Sequence, residues 1–96
     1  MNMTKLTDMD LTVLEHLPVE PNGLSLAELV DGLTAGPDKD RRRLVRASIK
    51  RLIQALGGLS TRREDDSLGN RNVILYGVRR AAMPAVRRHF AGRAGK

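Results

Sequence analysis

The sequence predicts a mainly α fold with a small β-hairpin: three helices, the hairpin, and a short C-terminal helix. Three observations predict it. Apolar residues recur at helical spacing through most of the first 56 residues. Two stretches near 59–64 and 72–78, the second rich in β-branched residues, flank a segment of turn chemistry. Proline and glycine mark breaks between the periodic stretches, at Pro18, Pro21-Asn22-Gly23, Gly36-Pro37 and Gly57-Gly58. Leu, Ile, Val and Phe supply 25 of 96 residues, above the roughly one-fifth below which a charged chain stays disordered. At 10.6 kDa one domain is expected, with a core over 6–79 and a basic helix and tail over 80–96.

In order, Thr7 caps a first helix over Asp8–Leu17, with Asp8 and Asp10 in the first turn favoured by the helix dipole. Leu11, Leu14 and Leu17 form its stripe, and Pro18 stops it. Pro21-Asn22-Gly23 is a turn. Ser25-Leu26-Ala27-Glu28 reads as a capping box opening a short second helix whose face is Leu26, Leu29, Val30 and Leu33. Thr34-Ala35-Gly36-Pro37 ends that helix and sets up the next.

The third helix, about 37–56, is the longest periodic segment. At about 100° per residue from Lys39, Val45, Ser48, Ile49, Leu52 and Leu56 fall between about 180° and 280°. Lys39, Arg42, Arg43, Arg46 and Lys50 fall on the opposite side. Gly57-Gly58 ends the helix, because glycine accepts the left-handed C-cap. A hairpin over 59–78 follows, with a loose tip at Asp65–Arg71. Pro84 opens a last helix reaching about Ala91, and 92–96 is a frayed tail.

Charge is divided along the chain. Residues 1–37 hold one base and six acids, whereas 38–96 hold sixteen bases and five acids. A domain so divided presents a basic face, the footprint of a polyanionic partner. A helix with an apolar stripe on one side and guanidiniums on the other suits the major groove of B-DNA, which is about 12 Å wide and admits one helix. In that arrangement the second helix supports and the third reads.

The stretch Leu24-Ser25-Leu26-Ala27-Glu28-Leu29, then Val45 through Leu59, then Arg62-Arg63, resembles the winged helix-turn-helix family of DNA-binding domains, of the bacterial regulator type, over roughly residues 6–79. One departure is the doubled Gly57-Gly58 where the family usually has a single glycine before the wing. The resemblance implies a sequence-specific double-stranded-DNA-binding protein, a transcriptional regulator, with the 59–78 hairpin as the wing. It implies DNA contacts from Lys39, Arg41, Arg42, Arg43, Arg46 and Lys50 on the third helix and from Arg62, Arg63 and Arg71 on the wing. Arginine suits this role because its planar fork bonds guanine O6 and N7, or a phosphate, twice.

Some residues carry two readings. Arg41 plots near 200°, inside the core stripe, so it either reaches the duplex or snorkels at the helix start. Asp65 and Asp66 at the tip would repel phosphate, so either the tip bends off the duplex or the hairpin has another task. Arg79, Arg80, Arg87 and Arg88 form a second phosphate patch or ordinary surface. Met83, Val86 and Phe90 form an apolar face that either pairs two copies, together with the first helix, or caps the chain's own core.

Other classes lose ground. With no Cys and two distant histidines, a zinc site of the usual four-ligand kind is not expected. No phosphate-binding glycine loop and no nucleophile with a neighbouring His is present, so no enzyme activity, cofactor or metal is expected. No apolar run spans a bilayer and no leader is expected, which suggests a cytoplasmic, nucleoid-associated protein. Tyr76 and Phe90 are the only aromatics, too few for the base-stacking platform of single-strand binders. The alternatives are a winged helix used as a protein or ribonucleoprotein interaction module, or a phage or plasmid accessory DNA-binding protein.

Overall fold

Residues 5–33 and 38–94 are described by the computed structural model. The chain forms α1 (Asp8–His16), β1 (Leu24–Ser25), α2 (Leu26–Gly32), α3 (Asp38–Leu56), β2 (Ser60–Glu64) and β3 (Val73–Gly77). A single 3-10 turn at Arg80–Ala82 leads into α4 (Met83–Ala94). Four helices and a three-stranded antiparallel sheet of order β1-β3-β2 make a mixed α/β fold.

Two capping boxes start the first two helices. The Thr7 hydroxyl accepts from the Asp10 amide at 3.1 Å, and the Asp10 carboxylate accepts from the Thr7 amide at 3.0 Å. Ser25 and Glu28 repeat the arrangement at the start of α2, at 3.1 and 2.8 Å. α1 stops at His16, because Pro18 pushes Leu17 into extended backbone. Gly57 and Gly58 adopt φ of 72° and 123° after α3. The Arg79 guanidinium then donates to the carbonyls of Leu56 and Gly57 at 3.2 and 3.1 Å, satisfying acceptors that every helix C-terminus leaves open.

The core is one cluster. Leu11, Val13, Leu14 and Leu17 of the α1 region meet Leu29 and Leu33, then Val45, Ile49, Leu52 and Leu56 of α3. Val78, Ala82 and Val86 close it. The stripe expected on the third helix is therefore its buried side, Ser48 included.

Ser48 explains the strongest polar link. Asp10 is fully buried, and its carboxylate accepts from Ser48 Oγ at 2.7 Å and from Arg51 Nε and Nη2, both at 2.8 Å. The Arg51 fork thus grips both oxygens, the strong geometry for this pair. Burial alone would raise the Asp10 pKa. Hydrogen bonds from Arg51, Ser48 and Thr7, with the Arg51 charge, outweigh it and hold the pKa below the ordinary value. Asp10 is more than a first-turn acid, since it ties α1 to α3.

Two sequence expectations change. The sheet has a third strand, β1, which pairs Leu24 with Tyr76 and Ser25 with Leu75. This close approach needs glycine: a Cβ on Gly23 would lie 2.9 Å from that of Leu75, and one on Gly77 would collide with the Asn22 carbonyl. The last helix begins one residue before Pro84 and continues to Ala94. A lone Gly92 costs a helix about 1 kcal/mol, too little to stop it. The expected 34–37 turn and the last two residues of the tail lie outside the described residues. Among the described residues, no helix is long and apolar enough to cross a membrane.

Removing the Asp10 carboxylate orphans Ser48 and Arg51 and deletes half a capping box. Arg51 is 38% exposed and regains water, so the loss is discounted to about 3 kcal/mol for Asp10→Ala. Asp8→Ala, which loses only a dipole contact, costs about 0.5 kcal/mol. Urea unfolding of both variants checks this; equal midpoints would remove the Asp10 fork from the account.

Candidate nucleic-acid interface

α3 must turn its outer side to solvent once its stripe is buried. Arg42, Arg43, Arg46 and Lys50 are all exposed there. Arg43 pairs with Asp40 at 3.0 Å, but both side chains are well exposed, so the pair is worth little. Arg42, Arg46 and Lys50 have no ion-pair partner among the described residues. The Lys39 side chain lies outside the described residues.

Arg41 behaves differently. It is half-buried, and its Nη1 donates to the Leu33 carbonyl at 2.9 Å, closing the end of α2. Its place near the core stripe accounts for this inward course.

Strand alternation separates the next two arginines. Across the hairpin Arg62 stands opposite Leu75, and Arg63 stands opposite Ile74. Successive side chains leave opposite faces of a sheet. Arg62 therefore points to the side covered by the 20–23 turn, where it donates to the Pro21 carbonyl and pairs with Glu64 at 3.1 Å. Arg63 points to the other side, and its Nη1 donates to the Asn72 carbonyl at 3.2 Å. Arg71 is exposed beside Asn72, which sits at φ 51°.

On the Arg63 side, a cleft of about 340 Å³ opens between the start of α2, α3 and the hairpin. Arg42, Arg46 and Arg63 line it, with Tyr76, Ile74 and Asp66. A second cleft of about 580 Å³ lies between α1 and α4, lined by apolar residues including Leu14, Met83 and Phe90. Val86 at its base is buried in the chain's own core.

The tip of the hairpin uses up its acids internally. Asp65 accepts from the Asn72 amide at 3.0 Å. Asp66 accepts from Ser25 Oγ at 2.5 Å, from the amides of Leu68 and Asn70 at 3.0 and 2.9 Å, and from Asn70 Nδ2 at 2.9 Å. The Ser25 bond leads the causes that lower the Asp66 pKa to about 2, with the Asn70 and Leu68 bonds behind it. Glu28 accepts from both the amide and the hydroxyl of Ser67. Burial raises the Glu28 pKa and the Asp66 charge adds to that, but the Ser67 and Ser25 bonds bring it below its ordinary value. The tip is thus tied to the start of α2.

The remaining basic residues divide as well. The Arg79 guanidinium caps α3. Arg80 donates from its amide to Glu20 at 2.7 Å. Arg87 and Arg88 are exposed on α4. Arg51, which grips Asp10, sits at about 120°, off the basic face, and that position is the one signal in the sequence that it belongs elsewhere.

Compared with family models, with curated proteins and with solved structures, the chain finds no match.

Deleting the Asp66 carboxylate frees the tip. In Asp66→Ala the Leu68 and Asn70 amides lose their hydrogen-exchange protection while those of α3 keep theirs. Because the folded pKa is depressed, this tie is complete above the ordinary value of 3.8 and is lost as pH falls through about 2. Exchange of the loop amides followed across that range checks it; protection unchanged at both ends would show that Asp66 does not hold the tip.

Proposed function

We propose that this chain is a winged-helix protein that binds double-stranded DNA and acts as a transcriptional regulator. The element order, helix, strand, two helices and a hairpin, is consistent with that layout. α3 enters the major groove and the hairpin lies alongside as the wing. One observation carries the reading: Arg42, Arg46 and Lys50 stand exposed, and without acid partners among the described residues, on the face of α3 opposite the core. Arg43 adds to that face, Arg63 joins it from the hairpin, and Arg71 supports it from the loop. Arg41 is half-buried against the end of α2, and Arg62 stands on the opposite face of the sheet from Arg63, so both contribute charge at a distance.

Phosphate contacts supply most of the affinity in this mechanism, and base edges supply the specificity. A single reading helix covers few base pairs, so regulators of this kind pair to read two half-sites. The seam between α1 and α4 is where a second copy would sit, although Ala82 and Val86 already serve the chain's own core.

With about five phosphates neutralised, log K against log salt on duplex DNA falls with a slope of roughly −4 to −5. Arg46→Ala weakens a selected duplex by about 1–3 kcal/mol if Arg46 reads a base. Equilibrium binding across a salt series measures both. A slope near zero, or a preference for structured RNA over duplex in matched salt, would reject the reading.

A further inference from the structure

The wall of the cleft facing α3 is tied to α2 by hydrogen bonds. Asp66 and Glu28 bind the tip of the hairpin to the start of α2 through Ser25 and Ser67. A wing held this way has a fixed distance from α3 and cannot swing outward without breaking those bonds. Arg63 projects from that wall, and Arg42 and Arg46 line the same cleft from α3. Three arginines line it with one carboxylate, Asp66, whose oxygens already accept four hydrogen bonds, and Arg63 also donates from Nη1 to the Asn72 carbonyl. The cleft is therefore net cationic. None of the three arginines has an acid partner among the described residues. Like charges gathered in one cleft repel until an anion comes between them. Guanidinium forks match phosphate oxygens in geometry as well as in charge.

Resting on the DNA-binding reading above, we infer that one backbone phosphate of the bound duplex sits in this cleft, shared by Arg42, Arg46 and Arg63. The hairpin is then a fixed wall of that seat and not an arm that enters the minor groove. Its tip points back to α2, held there by the Asp66–Ser25 and Glu28–Ser67 bonds. Arg62, one residue away, belongs to the opposite face and has no part in the seat.

The test uses the full chain and a short random-sequence duplex, with affinity measured across salt. All three arginines are exposed, so their alanine variants fold, and circular dichroism verifies it. A shared phosphate remains neutralised when one arginine is lost. Each single variant therefore keeps the wild-type salt slope, and so does Arg62→Ala. The Arg42→Ala/Arg46→Ala/Arg63→Ala variant loses about 1 from the slope, for one phosphate. A loss of about 3 would mean three separate phosphates and would overturn the seat. So would a loss of about 1 from any single variant. In a second arm, an A·T-rich duplex is saturated with a minor-groove-filling drug. Affinity stays within about twofold if the wing leaves that groove empty, and a drop of about tenfold or more overturns the fixed-wall assignment. Failure of the wild-type chain to bind any duplex overturns the DNA reading, and the seat falls with it. The other contrary outcomes overturn the seat alone.

Discussion

The rotation of α3 about its own axis governs everything else. Val45, Ser48, Ile49 and Leu52 are buried on one side, and burying each apolar side chain contributes about 1.5–3 kcal/mol. The opposite side must then carry Arg42, Arg46 and Lys50, at successive four-residue steps. Like-charged neighbours at that spacing cost only a few tenths of a kcal/mol each. The burial term wins by an order of magnitude, so the helix accepts repulsion outside in exchange for a filled core. Asp10 sharpens the setting: its fork with Arg51 and its bond with Ser48 fix α3 against α1 at a defined rotation.

The sheet adds a second constraint of the same kind. Its period of two assigns Arg62 and Arg63 to opposite faces, whatever their shared charge. β1 is too short to contribute much burial, yet it decides where the hairpin lies, since it joins β3 directly to the start of α2. The same short segment contains Ser25, which caps α2 and bonds Asp66 at once. A single serine therefore couples the helix start, the sheet edge and the hairpin tip. The cationic cleft between α3 and the hairpin is the space left between these fixed parts.

The helices were legible in the sequence because period and punctuation agree in them. The Thr7 and Ser25 caps, the stop at Pro18 and the paired glycines after α3 all rest on local chemistry. The exposed position of Arg42, Arg43, Arg46 and Lys50 follows from the helical period, and so does the inward course of Arg41. What was not legible is long-range. β1 has two residues and no measurable alternation, and its partner lies about fifty residues on. Asp10 reads locally as a first-turn acid; its tie to Arg51 spans 41 positions. Asp66 reads locally as a turn acid that repels phosphate; its bond to Ser25, which ties the tip to α2, spans 41 positions. The strand period puts Arg62 and Arg63 on opposite faces, but which of them shares a face with the α3 arginines needed the hairpin register, which turn residues alone do not specify.

The central claim is that the outer side of α3 and the Arg63 face of the hairpin form the surface that meets a double-stranded groove. Titration of the isotopically labelled chain with duplex DNA, followed by backbone amide chemical shifts, tests it most directly. The account predicts that the shifts concentrate on the outer positions of α3 and on the strands around Arg63, leaving α1 and the Arg62 side of the sheet unmoved. Shifts gathered on α1 and α4 instead, or no shifts at all with saturating duplex, would contradict it.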